Sequence, residues 1–211
     1  MELLYTDAAM VVCVKPVGVD SEQGLTALLS AQLPGSFYPV HRLDTAVGGV
    51  LVMARTEKAA AVLSEAVRTR RLVKEYRAVV SGRPEEGVWE DLLFWDSRRR
   101  KSFPVARPRK GVKEARLTCR VLAEAEWESK RLSLLALVLD TGRTHQIRVQ
   151  CASRRHPLLG DGKYGSRERR CTPALWAYRL TLPHPETGEM QCFSAPPPAT
   201  FPFDLFEEMS L

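Results

Sequence analysis

The chain reads as an α+β protein built on a mixed or antiparallel β-sheet. Three observations predict this. Short apolar or alternating runs recur between stops rich in glycine and proline. Two segments carry the helical period. Strand and helix signals do not alternate in the regular order that a parallel βαβ sheet requires. With 211 residues the chain is long enough for one substantial core, and we expect a single domain over residues 1–211.

Met10 to Val14 is the first β-rich run, stopped by Lys15-Pro16 and Gly18. Val50 to Ala54 is the second. TEKAAAVLSEAVRTRR then predicts a helix: Thr56 caps it, Ala59, Leu63, Ala66 and Val67 share one face, and Arg68, Arg70 and Arg71 complement the negative end of its dipole. Lys74 to Val80 alternates, placing Lys74, Tyr76, Ala78 and Val80 on one side of a strand that Gly82, Pro84 and Gly87 end. From there to about Gly111 periodicity is weak, which fits an irregular excursion or a long hairpin. Strands resume at Ala115–Leu122 and Leu132–Leu139. TGRTHQIRVQCASRR predicts a second short helix from near Thr144, with Ile147, Cys151 and Ala152 on one face. Ala174–Leu182 and Glu189–Phe193 form a hairpin around HPETGE, with Thr187-Gly188 at the turn.

Composition narrows the function. The net charge is +6, yet eight Lys or Arg and no acid fall between Ser97 and Lys113 (SRRRKSFPVARPRKGVK), so the remaining residues sit at −2. This basic excursion at 97–113 is either a solvated loop or a patch for a polyanion. The longest apolar run, Leu134 to Leu139, suits a core strand and falls far short of a membrane span. Asp7 interrupts the N-terminus before a signal-like stretch builds, so a cytoplasmic protein is expected. The five cysteines contain no C-x-x-C and read as reduced, mostly buried thiols. The four histidines lack metal-ligand spacing. Gly160-Asp161-Gly162-Lys163-Tyr164-Gly165 matches the G-x-G-x-x-G pattern, but it lacks the preceding strand and following apolar helix that a dinucleotide site needs, so a tight structural loop is expected.

Two short stretches stand out. HRLDTAVGGV, residues 41–50, puts Asp44 at the mouth of a buried strand with Arg42 beside it. Arg143, His145 and Arg148 cluster at the start of the second helix, which makes either a phosphate-binding corner or a solvated basic turn. Arg148 lies between the apolar Ile147 and Val149. A buried arginine requires a carboxylate partner, and Asp44 is the natural candidate. Tyr76 is either a core aromatic or a base-stacking platform.

The pieces VVCVKPVGV, HRLD at 41–44, VKEYRAVVSG at 73–82, KEARLTCRVL at 113–122, LDTGRTHQIR at 139–148, LLGDGKYG at 158–165 and HPETGE at 184–189 resemble, in order and spacing, the RluA-type pseudouridine synthases. Together they span about Tyr5 to Pro196. The resemblance implies a catalytic domain on a mixed sheet with a central RNA cleft, which isomerises uridine in RNA to pseudouridine without a cofactor, nucleotide or metal. By position, Asp44 matches the family's catalytic aspartate and Arg148 its basic partner. Tyr76 matches the aromatic that stacks on the target base, with Ile147 among the substrate-binding residues. Arg42 matches the residue that replaces the flipped nucleotide in the RNA stack. Chemistry on a stacked base needs that base extruded, and a single carboxylate then attacks C1′ or removes a ribose proton. A glycosidase would need a second carboxylate across the bond.

There are departures. Val47-Gly48-Gly49 stand where the family usually has Thr-Ser-Gly, and Gln150 and Trp176 stand where histidines are common. We expect the small RNA-binding domain that many relatives carry at the N-terminus to be absent, because only a few residues precede Tyr5. We therefore expect Arg98, Arg99, Arg100, Lys101, Arg109 and Lys110, with Arg143, to grip RNA phosphates. The expected partner is structured RNA, ribosomal or transfer, bound by a monomer away from any membrane. The competing expectation is a non-catalytic RNA-binding or RNA-chaperone protein on the same fold; a nucleoside hydrolase is a third.

Overall fold

The computed structural model describes residues 1–206. In chain order its elements are β1 (Leu3–Thr6), β2 (Met10–Lys15), α1 (Gln23–Ser30), β3 (Tyr38–Pro39), β4 (Gly48–Ala54), α2 (Glu57–Arg68), β5 (Val73–Ser81), β6 (Gly87–Asp96) and β7 (Lys101–Val105). They continue with β8 (Val112–Trp127), β9 (Lys130–Leu139), α3 (Gln146–Ser153), β10 (Leu175–Pro183) and β11 (Met190–Ser194). Two units divide the chain: Met1–Glu75 with Trp176–Pro196, and Tyr76–Leu175 with the segment from Pro197.

In the first unit the strands lie in the order β1, β2, β4, β10, with β11 on β10 and β3 on β4. β2 runs antiparallel to β4, and β10 runs parallel to it, so the sheet is mixed. β4 is buried along its whole length, which explains its unbroken apolar run: a strand covered on both faces has no solvent side to mark with polar residues. α2 forms as predicted at its start and along its apolar face, but it ends at Arg68, so Arg70 (φ 61°) and Arg71 lie beyond its last turn instead of in it. Thr56 accepts a hydrogen bond from the Ala59 amide at 3.1 Å, and Ala59, Leu63 and Ala66 join a core cluster with Val50, Val52 and Leu180.

The close approach of β10 to β4 depends on two glycines. Trp176 pairs with Gly48 and Ala177 with Gly49. A Cβ on Gly49, whose φ is +121°, would run into the Ala177 backbone. A Cβ on Gly48 would lie 2.5 Å from the Trp176 ring, which is buried and tethered through Nε1 to the Ala195 carbonyl at 2.9 Å. Two departures from the family pattern are thus facing partners: the missing serine side chain leaves room for the indole. Gly48→Ser is expected to cost about 1–3 kcal/mol by overpacking. In a urea-melt double-mutant cycle with Trp176→His, the two positions should couple by more than about 0.5 kcal/mol. An equal cost for Gly48→Ser in both backgrounds would mean that they do not share this space.

The second unit holds a run in the order β5, β9, β8, β6, β7, in which the pairs β9–β8, β8–β6 and β6–β7 are antiparallel. The weakly periodic stretch before Gly111 is the hairpin β6–β7, one of the two alternatives its sequence leaves open. Strands β8 and β9 reach beyond their predicted ends to Trp127 and Lys130. They close through Glu128 and Ser129, both at positive φ (48° and 58°), the backbone of a primed hairpin turn without its usual glycine or asparagine.

There are three α-helices among the described residues, where two were predicted. The additional one, α1, is short and carries Gly24 as its second residue; the Asp20 carboxylate accepts from the Glu22 and Gly24 amides, and Leu25 and Leu29 are buried one turn apart. α3 begins at Gln146, two residues after its predicted start, because His145 takes a left-handed conformation (φ 56°).

Candidate active site

Asp44 lies in the first unit, on the turn leading into β4. The Val47 amide donates to its carbonyl at 2.9 Å, and its side chain is partly exposed. The residue before it is clamped: the buried Ser21 hydroxyl accepts from the Leu43 amide and donates to the Leu43 carbonyl, both at 2.9 Å. The residue after it is held as well, since the Thr45 carbonyl accepts from the Gly18 amide at 2.8 Å. The carboxylate is therefore carried on a backbone fixed on either side by the 16–21 loop.

Lys15, fully buried at the end of β2, closes that loop by donating to the carbonyls of Pro16 (2.9 Å) and Val19 (2.6 Å). Burial pushes its ammonium down to about 8, while the Asp20 and Asp44 carboxylates pull it back up. Asp44 thus has a cation in its own unit that sequence reading passed over. The signal was present in a lysine ending a fully apolar strand, a position where a charge needs a purpose. Ser21 carried no such signal.

His41 anchors the other end of the turn. Its Nε2 accepts from the Val52 amide at 3.2 Å, and burial, with Lys74 acting in the same direction, drives the imidazolium down to about 3. The ring is neutral, with its proton on Nδ1. Arg42 projects outward with its side chain 68% accessible, and its contact with Glu22 at 3.9 Å is a surface pair of little energy.

The other predicted residues belong to the second unit. Tyr76, on β5, is 6% exposed, and Ile147 is buried on α3. Arg148 is buried too, and its carboxylate partner within this unit is Asp161: Nε donates to Oδ2 at 2.7 Å and Nη2 to Oδ1 at 2.8 Å. Asp161 belongs to the GDGKYG loop, so that stretch is a structural loop whose acid neutralises the helix arginine. Asp44, the partner expected for Arg148 from the sequence, belongs to the other unit. At the start of α3, Arg143 is half-buried with Nε on the Glu114 carbonyl (2.7 Å), and His145 Nδ1 meets the Tyr164 hydroxyl (2.9 Å).

The basic excursion forms the tip of β6–β7 and the entry to β8. Arg98, Arg99, Arg100, Arg109 and Lys110 are exposed, and Lys101 is half-buried. The Asp96 carboxylate orders the tip by accepting from the Arg98 and Arg99 amides, both at 3.0 Å. Lys101 and Arg99 lie over the Phe103 ring, and Arg109 over Phe94.

The five cysteines are free, and Cys13, Cys119 and Cys151 are buried. Burial raises the Cys13 and Cys119 thiols to about 12, so neither is a thiolate nucleophile at neutral pH. Among the described residues, no group of three or more His, Cys, Asp or Glu could hold a metal ion, and no helix is long and apolar enough to cross a membrane.

A model of the RNA pseudouridylate synthase family matches residues 9–153, which include Asp44, Tyr76 and Arg148. The chain is 33% identical to the tRNA pseudouridine synthase C of Yersinia pestis over 92% of its own length and 86% of that protein's. It is also 33% identical to the ribosomal large subunit pseudouridine synthase D of Neisseria meningitidis serogroup A, over its whole length but 61% of the relative's. Among solved structures, human RNA pseudouridylate synthase domain containing 1 superposes with a TM-score of 0.82 at 27% identity, covering 97% of this chain and 85% of that one.

Proposed function

From the premise that the chain belongs to the RNA pseudouridylate synthase family, we propose that it isomerises specific uridines of structured RNA to pseudouridine, with Asp44 as the catalytic carboxylate. The observation that carries this reading is the mounting of Asp44: a partly exposed acid on a turn clamped at Leu43 by Ser21 and at Thr45 by Gly18, beside the buried Lys15 ammonium.

The target uridine leaves its stack. Arg42, long and exposed, fills the gap, while Tyr76 stacks on the extruded uracil and Ile147 packs beside it. Asp44, oriented by Arg148 as its basic partner, then attacks C1′ or removes a ribose proton. The C1′–N1 bond breaks, the uracil turns, and C1′ bonds to C5; in the first course the Asp44–C1′ ester breaks as that bond forms, and in the second the ribose regains its proton from Asp44. The hydrogen lost from C5 leaves as a proton, and N1 gains one. Atoms and electrons balance without a cofactor.

We read both units as parts of one catalytic domain acting as a monomer in the cytoplasm. One relative is named for tRNA and another for the large ribosomal subunit, and both RNAs are substrates to test. Release of tritium from RNA carrying 5-tritiated uridine is the direct assay, since C5 loses its hydrogen only if the ring rejoins there. RNA binding without release, from either RNA made in cells lacking the endogenous enzyme, would favour the non-catalytic RNA-binding reading.

The exposed cations of the hairpin are proposed to hold RNA phosphates. Replacing Arg98, Arg99 and Lys110 by glutamate is expected to weaken RNA binding and to flatten the dependence of log K on log salt by about 2, since each lost phosphate contact removes roughly 0.7. An unchanged slope would leave these residues as a solvated tip.

A further inference from the structure

We propose that Trp95, set against His145 at the entrance to α3, is a stacking platform for an unpaired base of the RNA, a substrate-binding residue distinct from Tyr76. This rests on the RNA reading above and adds to it a residue that neither the motifs nor the family pattern singles out.

Trp89, Leu93 and Trp95 point to the same face of β6, because alternate residues of a strand share a side. α3 lies along that face. Arg154 covers the Trp89 ring at 4.7 Å, and Leu93 clusters with Val149 and Tyr164. Trp95 meets His145, the residue before the helix begins, with ring centroids 5.4 Å apart and planes at 90°. There the helical cover stops, and the indole emerges 37% exposed, whereas Trp89 and Trp176 are buried and Trp127 is half-buried.

A single exposed apolar residue is ordinary; the surroundings of this one are not. Its strand runs directly into the tip bearing Arg98, Arg99 and Arg100, and the facing strand begins with Lys101. An aromatic face beside several cations matches the two chemistries of a single-stranded nucleotide, the π-face of the base and the charge of its phosphates. Perpendicular packing leaves at least one indole face uncovered by the imidazole.

The platform is also braced. The Tyr164 hydroxyl accepts from the Ser102 amide at 2.8 Å and meets His145 Nδ1 at 2.9 Å, holding the histidine in its left-handed conformation. Lys101 Nζ donates to the Lys163 carbonyl at 2.6 Å and lies 4.8 Å over the Tyr164 ring, while Lys163 Nζ donates back to the Arg100 carbonyl at 3.1 Å. A platform ordered before RNA arrives loses little entropy on binding.

The test compares the full chain with Trp95→Ala and Trp95→Phe. The probes are a roughly 12-nucleotide oligoadenylate and an RNA duplex of the same length, followed by tryptophan fluorescence. The single strand should quench the native protein and the duplex should not; the quench should vanish in Trp95→Phe while most of the affinity remains. Trp95→Ala should bind the single strand about 5- to 150-fold more weakly with an unchanged salt slope, because a stack carries no counterions.

Native-like affinity in Trp95→Ala would overturn the proposal, as would a salt slope that falls with the affinity, since the loss would then come from a displaced basic tip. If Trp95→Ala melts early, the quench decides, and its persistence in Trp95→Phe overturns the proposal. The two readings fail separately. Tritium release by the native protein with normal RNA affinity in Trp95→Ala sinks the stacking alone. Base-dependent quenching without any tritium release sinks the isomerase alone.

Discussion

Asp44→Asn should abolish tritium release from 5-tritiated RNA, by at least about a thousandfold, while leaving RNA affinity and the melting transition close to those of the native protein. The amide has nearly the carboxylate's shape, and the Ser21 hydroxyl and the Gly18 and Val47 amides hold the turn through backbone atoms of Leu43, Thr45 and Asp44. Local geometry should therefore survive while the negative charge is lost. An amide neither attacks C1′ nor accepts a ribose proton, so either course of the reaction stops. Turnover within tenfold of native would place the chemistry on another group. A collapse of RNA affinity in step with the rate would make Asp44 a binding residue instead.

Asp161→Asn should lower stability by about 3–5 kcal/mol, the cost of removing one member of a buried ion pair. The guanidinium of Arg148 and the carboxylate of Asp161 are both nearly inaccessible, and two parallel bonds of 2.7 and 2.8 Å join them. Asparagine keeps the shape but offers one acceptor oxygen in place of two, and it brings no negative charge of its own to the guanidinium. The loss should appear in urea as a lower midpoint at unchanged slope. A double change, Arg148→Met with Asp161→Leu, should recover most of the stability, because removing both members of a buried pair is far less costly than removing one. That variant should still fail in the tritium assay if Arg148 orients Asp44. A cost below about 1 kcal/mol for Asp161→Asn would mean that Asp161 is not the group that neutralises Arg148.

Much of the frame was legible in the sequence because its causes are local. The Thr56 cap, the apolar face of α2 and the buried run of β4 each follow from residues a few positions apart, and each forms as predicted. α1 was missed because it is short and has a glycine in its first turn, leaving Leu25 and Leu29 as its main periodic signal. The β8–β9 turn was missed because Glu128 and Ser129 take positive φ without the residues that usually announce it. α3 starts late for a similar reason: the left-handed His145 is held by Tyr164, distant in sequence, and nothing in TGRTHQIR reports that contact.

By itself the sequence determined the fold class, the family, the position of Asp44 at the mouth of a core strand, and the concentration of charge at 97–113. The fold class and the charge follow from periodicity and composition, and the family from the resemblance of its ordered motifs to known members, all of which a linear chain displays. Tertiary structure alone decided which carboxylate in its own unit meets Arg148, which hydroxyl clamps Leu43, how Trp176 fills the space beside Gly48, and that Trp95 emerges where α3 stops. Each of these joins residues that no period relates. A buried charge, an orphaned backbone group or a gap in the core requires some partner. The chain states that requirement, but only its packing decides which of many chemically suitable residues arrives within bonding distance.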